Sequence, residues 1–405
     1  MRLVIHSQYY PPEFGAPQTR LSALARSFVE RGHSVTVLTA MPNYPFGRYY
    51  PGYGGMLRRE RQNGINIIRT FVYPTQRANV VPRMMNYASF VLSSAALGSI
   101  LTDRPHYWFV ESPPLFLGIA GLWATFWKRC RMIFNVSDLW PESAARLGTI
   151  SAQGVPYRLS AWLEAICYRH AWLVTGQSEG ILSDILLRFP GCHAFHLSNG
   201  VDIQAFNSDR RTQAARHKLA GDNEFVVLYA GLHGLAQGLD QVVAAAKILR
   251  DVLPIRFVFV GDGPEKRKLV GVVRQLGLGN VKFLEPVPSG EIPPLLAAAD
   301  VAIVCLKSYI PGAVPSKLYE AMASRRPVLL IAGGEASEIV TRYQAGIVVT
   351  PGDIVGLAEG LRLLHAEPRL CESLGINGRR AVEDHYDRSK IGKRFVDYLE
   401  ANLER

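Results

Sequence analysis

Apolar positions along the chain follow two alternating spacings from the N-terminus onward. Short apolar runs at residues 2–7 and 33–40 are typical of buried strands, whereas residues 18–32 place apolar side chains every three or four positions, as a helix does. Further apolar runs at residues 106–112 and 131–138 continue the alternation. This order predicts an α/β fold with a parallel, doubly wound sheet, whose ligand sites lie at the carboxyl ends of the strands.

The alternation starts again after a polar stretch. Residues 196–224 contain the turn signals Asn-Gly and Gly-Asp-Asn, so they are predicted to be a linker. Strand and helix patterns resume downstream of it. We therefore predict two Rossmann-like domains, residues 1–200 and 201–385, with parallel sheets facing a central cleft. A C-terminal helix at about residues 386–405 is expected to pack back on the first domain.

The composition adds a positive charge without identifying a partner. Lys and Arg total 45 against 34 Asp and Glu, a formal net charge of +11. A basic excess suits a polyanion, an anionic membrane surface or a phosphate-bearing ligand, and it does not choose among them. The five cysteines lack zinc or redox spacing, and the sequence contains no HExxH, Asp-x-Asp, Walker A or Gly-x-Ser-x-Gly motif. No metal site is predicted.

Two segments combine large apolar residues with basic neighbours. They are residues 77–101 and residues 114–131, and the second closes with Lys128, Arg129 and Arg131. Neither contains about 18 uninterrupted apolar residues, so no membrane-spanning helix is predicted. Such a composition suits a helix that lies in a membrane interface, and core helices of an α/β domain have the same composition. We predict peripheral membrane contact through both segments, with core packing as the alternative.

The segment from Val314 to Leu329 is predicted to contain a helix that begins next to a proline. Ser316 is the expected N-cap, and Ser316, Lys317 and Glu320 share one helix face. A helix start offers free N–H groups and a partial positive charge, to which Lys317 adds a full charge, and this combination suits a diphosphate. Glu320 is placed to accept hydrogen bonds from sugar hydroxyls. The alternative is a capped helix with a Lys317–Glu320 surface pair.

Two glycine-rich strand ends in the second half offer backbone that a phosphate can approach closely. In YAGLHGLAQGLD these glycines include Gly231 and Gly234, and His233 is expected to face the phosphates. In FVFVGDGPEKRKL, Gly261 follows a strand directly. The spacing GxxGxxxG differs from the dinucleotide pattern GxGxxG, which disfavours NAD. An ordinary tight turn between strand and helix is the alternative.

Strand ends in the first half also carry candidate residues. Gly15 lies between the first strand and the first helix, and Asp138 follows a later strand. Asp138 has the alternative role of a helix N-cap or an Asx turn. Four other candidates lie near strand ends or in the loops that follow them: Phe14, Asn43, Glu111 and Trp140.

Together these segments resemble the retaining GT-B glycosyltransferases of family 4 over the full length of the chain. The shared marks are SNGVD with a following phenylalanine, VGDGPE and PSKLYEAMASRRPVL. More narrowly, YYPPEFGAPQTR, NYPFGRYYPGY, SDLWPES and YAGLHGLAQGLD resemble the bacterial surface-polysaccharide branch. That branch includes transferases of fucose-type and N-acetylfucosamine-type sugars in O-antigen and colanic acid assembly.

The resemblance implies a nucleotide-diphosphate sugar, UDP-linked by preference, in the C-terminal half and a lipid-linked saccharide acceptor in the N-terminal half. It implies retaining transfer without a metal or another cofactor. Glu320 matches the second Glu of the family's E-x7-E pattern, which holds ribose hydroxyls in relatives. The expected catalytic residues are Asp138, Lys317 and Glu320. The expected donor-binding residues are Gly15, Gly231, His233, Gly234, Gly261, Ser316, Lys317 and Glu320, and the acceptor-side candidates are Phe14, Asn43, Glu111 and Trp140.

Three positions depart from the family pattern. The first Glu of E-x7-E falls at Gly312, so recognition of the sugar must differ here. The family's Arg and Lys after the first strand of the C-terminal half fall near Leu232 and Gln237, which leaves Lys317 as the main expected cation on the diphosphate. A His that many relatives place close to the sugar is absent, and Asp138 is the candidate in its neighbourhood.

Two other functions stay open. A nucleotide-sugar 2-epimerase has the same fold, and release of free nucleotide that depends on an acceptor lipid would distinguish a transferase from it. A basic peripheral membrane or nucleic-acid-binding protein without catalysis is the other candidate, but the basic residues are spread along the chain, so no nucleic-acid partner is expected. The resemblance implies a 6-deoxy or N-acetylated hexose and a cytoplasmic location, peripheral on the inner membrane.

Overall fold

The computed structural model describes residues 1–75, 80–146, 148, 150–252 and 254–403. The chain forms two units, of which unit 1 is Met1–Asn199 with Arg388–Arg405 and unit 2 is Gly200–Asp387. The domain boundaries predicted after residues 200 and 385 therefore fall after residues 199 and 387 in the structure.

Unit 1 contains a mostly parallel sheet. Its strands are β1 (Arg2–His6), β2 (Ser34–Ala40), β3 (Leu57–Gln62), β4 (Ile65–Thr70), β5 (Tyr107–Ser112), β6 (Arg131–Val136), β7 (Leu173–Gly176) and β8 (Ala194–His196). Their order is β3-β4-β2-β1-β5-β6-β7-β8, and every neighbouring pair is parallel except the antiparallel pair β3 and β4. The predicted parallel, doubly wound sheet is confirmed for this unit.

The helices of unit 1 cover both faces of that sheet. They are α1 (Ala16–Glu30), α2 (Val80–Ser93), α3 (Ser99–Leu101), α4 (Leu117–Lys128), α5 (Glu142–Arg146), α6 (Val155–His170) and α7 (Glu179–Arg188), and a π-helical turn, Ser94–Gly98, joins α2 to α3. Alternate residues of β5 show why its strand is apolar throughout: Phe109 belongs to the core under α1, and Trp108 and Val110 belong to the core under α4.

Unit 2 is a second parallel α/β sheet. Its strands are β9 (Phe225–Ala230), β10 (Ile255–Val260), β11 (Val281–Leu284), β12 (Val301–Cys305), β13 (Val328–Ile331) and β14 (Gly346–Val349), in the order β11-β10-β9-β12-β13-β14. Its helices are α8 (Gln213–Leu219), α9 (Asp240–Leu249), α10 (Lys266–Gln275), α11 (Ile292–Ala298), α12 (Ser316–Ala323), α13 (Glu335–Arg342), α14 (Ile354–Ala366) and α15 (Pro368–Ala381). Short 3-10 turns occur at Ser208–Arg210, Leu235–Gln237 and Ser289–Glu291, and a π-helical turn at Val382–Tyr386.

The predicted linker, residues 196–224, is wrong in part, because residues 213–219 within it form α8. This helix packs against α11, and Leu219 belongs to the core of unit 2. Thr212 caps α8, because its side chain accepts a hydrogen bond from the N–H of Ala215. Polar turn residues on both sides of this short helix hid its apolar contacts in the sequence.

The last helix, α16 (Arg388–Ala401), packs on α1 in unit 1. The ring of Phe395 lies in edge-to-face contact with Phe28 and Phe109, and the Tyr107 hydroxyl donates a 2.9 Å hydrogen bond to the Leu399 carbonyl. These contacts belong to the apolar core of unit 1. The chain therefore returns to its first unit.

Each sheet has one point at which the chain reverses its direction of growth across the sheet. In unit 1 this switch point lies between β1 and β5, and in unit 2 it lies between β9 and β12. The carboxyl ends of strands at such a point form the usual ligand crevice of an open parallel sheet. The loops that follow these four strands are therefore the first places to look for a site.

One helical segment in the described part of the chain, Val81–Leu101, is long and apolar enough to cross a membrane by length and composition. Its mean hydropathy is 1.3, and 33% of the residues in that window are buried. A core helix of a soluble protein passes the same test, so this finding alone does not replace the prediction of a peripheral helix. The first residues of the predicted contact segment, 77–79, lie outside the described residues.

A buried ion pair lies at the switch point of unit 1. Arg20 of α1 contacts Glu111 of β5 at 2.5 Å, and both side chains are almost fully buried. The Glu111 carboxylate also accepts hydrogen bonds from Ser137 at 2.5 Å and from Asn135 at 2.9 Å. Because a buried charge without its partner is strongly destabilising, the pair holds α1 against the carboxyl end of β5.

We expect Arg20→Met or Glu111→Met to lower the free energy of unfolding by about 3–5 kcal/mol, since each leaves one charge of the pair buried and unpaired. The double variant Arg20→Met with Glu111→Met should lose less than the two single losses added together. Denaturant unfolding of the three variants measures this coupling. The exposed pair Glu142 and Arg146 is the control, with an expected coupling below about 1 kcal/mol. Additive losses at Arg20 and Glu111 would contradict the assignment.

Candidate active site

The start of α12 lies in unit 2, near the switch point. The helix begins at Ser316, and Pro315 occupies the N-cap position with extended backbone and no side-chain hydrogen bond to the helix. The prediction of Ser316 as N-cap is therefore wrong, because the proline takes the capping position and moves Ser316 into the first turn. The first N–H groups of α12 consequently have no cap side chain, as an anion-binding helix start requires.

The side chain of Lys317 lies directly over Gly231, the residue that follows β9. A β-carbon placed on Gly231 would lie 2.0 Å from Lys317 Cε and 2.5 Å from its Nζ, and the φ angle of Gly231 is +150°. Only glycine therefore leaves room for this ammonium group. No hydrogen bond or ion pair of Lys317 occurs among the residues that the structure describes. Its charge is available to a ligand at the carboxyl end of β9.

Gly261 brings the loop after β10 equally close. A β-carbon on Gly261 would lie 2.0 Å from the carbonyl oxygen of Gly231, and its φ angle is +135°. The Gly231 N–H donates a 2.8 Å hydrogen bond to Val260. The structure thus brings together three of the predicted donor residues, Gly231, Gly261 and Lys317, through backbone contacts that larger residues would prevent.

His233 does not face a ligand, in contrast to the prediction. Its side chain is buried among the rings of Tyr229, Phe259 and Phe283, and burial lowers its pKa to about 4, so the imidazole is neutral near pH 7. Neither ring nitrogen bonds to a described residue. The loop contributes backbone here, since the N–H of His233 donates to Asp262 at 2.8 Å.

Two further positions in this loop explain the missing family charges. Gly234 precedes the turn Leu235–Gln237, and a β-carbon there would lie 2.6 Å from Gln237 Oε1. That amide oxygen is buried and accepts no hydrogen bond from a described residue. Leu232 is exposed. The positions where relatives carry Arg and Lys therefore hold an inward amide and a surface leucine.

Glu320 and Gly312 flank the start of α12. Glu320 is half-buried and lies one turn after Ser316, on the same helix face. Gly312 is buried with a φ angle of +68°, in the left-handed region that glycine adopts readily. The first carboxylate of E-x7-E is thus replaced at a position whose backbone disfavours any side chain. The role of Glu320 toward a ribose stays a prediction.

In unit 1 the loop after β1 leads into α1 through Gly15. The φ angle of Gly15 is +156°, and a β-carbon there would lie 2.5 Å from the Oε1 atom of Gln18. That oxygen is buried without a hydrogen bond from a described residue. Phe14, one residue earlier, is exposed. The loop therefore presents an aromatic ring to solvent while its glycine lies tightly against the helix start.

Glu111 is buried in a polar network, and so is not available for direct contact with an acceptor. Besides the pair with Arg20, the network links Asn135 to Thr175 through a 2.7 Å hydrogen bond. Arg20 also donates to Asn199 at 3.2 Å. Sequence reasoning missed Arg20, although an arginine at a position of α1 that repeats with buried Leu24 was a usable signal.

Asp138 follows β6 and is mostly buried. Ser143 of α5 donates a 3.0 Å hydrogen bond to its Oδ2, and burial raises the pKa of the Asp138 carboxyl. This side-chain bond is neither an N-cap nor an Asx turn, since both need a backbone N–H as the donor, so the alternative role and the predicted catalytic role both stay predictions. Trp140 is half-buried and packs against the core of unit 1, so it is less exposed than its sequence context suggests.

Asn43 is also buried, and its side chain donates to the Met41 carbonyl at 3.0 Å. Its backbone N–H donates at 2.7 Å to Glu13, a residue that sequence reasoning did not select. The PPEFG segment offered a signal for it, because a carboxylate stands there between a diproline and a glycine in a strand-end loop. Within the described residues, no group of three His, Cys, Asp or Glu side chains is close enough to hold a metal ion.

Both halves of the chain match known family models. Residues 15–191 match the model described as a glycosyl transferase 4-like domain, and residues 210–381 match the model described as glycosyl transferases group 1. The putative colanic acid biosynthesis glycosyl transferase WcaI of Escherichia coli strain K12 is 22% identical over 417 residues, which cover 98% of this chain and 99% of WcaI.

Solved structures with the same fold span the full chain. A sucrose-phosphate synthase from Thermosynechococcus elongatus has a TM-score of 0.79 at 19% identity and covers 100% of this chain and 99% of its own. Anabaena HepE in complex with UDP-glucose has a TM-score of 0.73 at 19% identity, with coverage of 99% and 100%. Since the two family models together span most of its length, the chain belongs to the glycosyltransferases, and its two α/β units have the GT-B architecture.

Proposed function

We propose that this glycosyltransferase moves a hexose from a UDP-sugar to a lipid-linked saccharide, with retention of the anomeric configuration, in the synthesis of a cell-surface polysaccharide. The observation that carries the proposal is the Lys317 ammonium over Gly231, beside the uncapped start of α12. Two relatives support the choice of substrates: HepE was solved with UDP-glucose, and WcaI is named for colanic acid synthesis. A 6-deoxy or N-acetylated sugar is proposed from the resemblance alone.

In the proposed reaction the bond between the sugar's anomeric carbon and the β-phosphate oxygen breaks, and its electron pair stays on the diphosphate. The acceptor hydroxyl forms the new bond on the same face of the sugar, and its proton passes to the departing phosphate. Lys317 and the first N–H groups of α12 meet the negative charge that develops, and this stabilises the transition state. Because these groups supply positive charge themselves, we propose that the step needs no metal.

Glu320 has a proposed role one turn further along α12. It shares a helix face with Ser316, so a nucleotide whose diphosphate lies at the helix start brings its ribose toward that face. A carboxylate accepts hydrogen bonds from vicinal hydroxyls, which suits a ribose. Asp138 in unit 1 keeps its predicted catalytic role as a proposal, and burial raises the pKa of its carboxyl, which favours the protonated form.

We expect Lys317→Ala to reduce transfer at least about a hundredfold, because it removes the charge opposite the developing phosphate anion. Thermal unfolding should stay nearly unchanged, since no described residue bonds to the ammonium. UDP affinity is measured by calorimetry, and turnover by release of UDP from UDP-sugars when a lipid-linked saccharide is added. Lys247→Ala, an exposed lysine of α9, is the matched control.

Wild-type turnover in Lys317→Ala would remove the diphosphate role. UDP release that does not depend on the saccharide, together with a changed sugar in the donor pool, would instead indicate an epimerase. A screen of UDP-, GDP- and dTDP-sugars by thermal shift identifies the base, and stabilisation by GDP or dTDP alone would contradict the UDP assignment.

We also propose that unit 1 lies on the cytoplasmic face of the inner membrane. Helix α4 carries Trp123, Phe126 and Trp127 in exposed positions, and the rings of the two tryptophans stack 6.1 Å apart. Lys128 and Arg129 follow immediately. Aromatic rings beside basic residues suit an anionic lipid surface.

The apolar surface extends over neighbouring helices. Helix α4 contacts both α2 and α6. Helix α2 exposes Met84 and Met85, and α6 exposes Leu159 and Trp162. The contribution of α6 was not predicted, because its apolar residues lie between charged ones in the sequence. Exposed apolar side chains on three neighbouring helices of one unit support a binding role rather than core packing.

The double variant Phe126→Ser with Trp127→Ser should bind phosphatidylglycerol vesicles at least about tenfold more weakly, because each large side chain contributes about 1.5–3 kcal/mol when buried. Vesicle flotation at low and high salt measures this binding, which should weaken as salt screens the basic residues. Leu363→Ser, an exposed apolar residue of α14 in unit 2, is the control. Equal flotation of all three proteins, or no flotation of the wild type at low salt, would contradict membrane contact.

A further inference from the structure

Glu13 joins the loop after β1 to the loop after β2. Its Oε1 atom accepts hydrogen bonds from the backbone N–H of Asn43 at 2.7 Å and of Tyr44 at 2.8 Å. The side chain of Glu13 is only 4% exposed. Because buried polar groups must be paired, these two bonds fix where the second loop begins relative to the first.

The second loop, residues 43–50, is compact and yet presents aromatic rings to solvent. The Tyr50 hydroxyl donates to the Tyr44 carbonyl at 3.0 Å, and the rings of Phe46 and Tyr50 lie 5.5 Å apart. Tyr44 and Phe46 nevertheless remain 46% and 48% exposed. An ordered strand-end loop that holds aromatic rings in water is typical of a binding surface.

Buried amides adjoin the Glu13 bonds. Asn86 of α2 donates to Asn43 at 3.5 Å, and Gln8 donates to Asn86 at 2.7 Å. The other end of the Gln8 amide, Oε1, is buried and accepts no hydrogen bond from a described residue. This oxygen is enclosed by protein atoms, so a ligand on the surface does not reach it in this structure.

A saccharide fits exposed aromatic rings that an ordered loop holds in place. The C–H faces of a sugar ring pack on aromatic rings, while its hydroxyl groups can bond to polar groups beside them, such as the Tyr44 hydroxyl. A phosphate would find Arg48 as the exposed cation of this loop, because Arg69, the guanidinium whose charge acts on Glu13, is buried and already bonded to Glu60 and to main-chain carbonyls.

We propose that Glu13 is a positioning residue for the acceptor, and that it holds Tyr44 and Phe46 as an aromatic platform for the saccharide part of that acceptor. The proposal rests on the transferase function proposed above. It adds the residues that bind the acceptor sugar, and it makes this binding depend on the protonation of Glu13.

We call the loop closed when Glu13 accepts both backbone hydrogen bonds and open when these bonds are broken. Protonation of Glu13 favours the closed loop. Burial raises the pKa of Glu13 to about 7, despite the hydrogen bonds from Asn43 and Tyr44 that favour its charged form. The closed loop therefore binds the proton more tightly than an open one. The contribution of Glu13 to the stability of the closed loop is fully present below the usual carboxyl pKa, and it is lost as the pH rises through about 7.

Other ionisable groups around Glu13 do not titrate in this range. Burial raises the pKa values of Tyr9 and Tyr50, and raises that of Tyr10 to about 12. Arg83 and Tyr87 of α2 act on Tyr9, and the pKa of Arg83 is raised as well. A change near neutral pH at this loop is therefore assigned to Glu13.

Hydrogen exchange of the full-length protein tests whether Glu13 holds the loop closed. Between about pH 6 and about pH 8, protection of the Asn43 and Tyr44 amides, corrected for intrinsic rates, should fall about tenfold in the wild type. Glu13→Gln keeps the accepting oxygen but cannot ionise, so its protection should not change with pH. Glu13→Ala should show low protection at both pH values, and the exposed Glu30→Gln should behave as the wild type. Protection of these amides that does not change with pH in the wild type, or high protection in Glu13→Ala, would overturn the positioning role of Glu13.

Saturation-transfer NMR with soluble glucose, N-acetylglucosamine and fucose tests the ligand. The wild type should show sugar signals that are stronger at about pH 6 than at about pH 8, and that Tyr44→Ala with Phe46→Ala removes. Glu13→Gln should keep the signals at both pH values, and Leu187→Ala, an exposed apolar residue of α7, should keep them as the wild type does. Absence of any platform-dependent signal would overturn the proposal. UDP affinity should be unchanged in every variant, so loss of UDP binding in the wild type would contradict the transferase function instead.

Discussion

The close backbone approach at Gly231 is the constraint on which the donor side of unit 2 depends. Two strand-end loops and the start of α12 converge where a single β-carbon would collide with either the Lys317 side chain or the Gly231 carbonyl. The positive φ angles of Gly231 and Gly261 allow this approach. As a result, one ammonium and the N–H groups at the start of α12, which have no side-chain cap, occupy a place that bulkier residues would fill. The chemistry of the site follows from missing side chains as much as from Lys317.

Unit 1 meets the same topological situation with buried polar side chains. At its switch point, an ion pair between Arg20 and Glu111 takes the place that the glycine contacts have in unit 2. Asn135 and Ser137 donate further hydrogen bonds to Glu111. Burying two charges gains little stability over apolar packing, so the value of such a pair lies in fixing geometry. The pair ties α1 to β5 directly behind the Gly15 loop. The loops proposed to bind the acceptor thus adjoin a buried polar network, and Glu13 is the proposed pH-dependent link between two of them.

The fold was largely predictable from the sequence because parallel strands buried on both faces give apolar runs that few other structures produce. The order of the strands was not, since such runs look alike and their neighbours are chosen by helix packing. Lys317, Gly231 and Gly261 were predicted to act together, and the structure places them together. Ser316 failed as a cap because Pro315 already has the extended backbone of that position. His233 failed because an aromatic cluster assembled from three strands surrounds it, and sequence spacing does not record that cluster.

The departures from the family pattern in unit 2 are physically connected. A carboxylate is missing at Gly312, where a φ angle of +68° disfavours any side chain, and two cations are missing at Leu232 and Gln237. Compared with the family pattern, unit 2 therefore lacks one negative and two positive charges near the proposed donor site. Because two cations are missing, Lys317 would supply a larger share of the proposed attraction to a diphosphate. Because the carboxylate is missing, the proposed sugar has no charged partner at Gly312. Under the proposed function, recognition of the sugar would then depend on neutral groups and shape, which suits the proposed 6-deoxy or N-acetylated hexose.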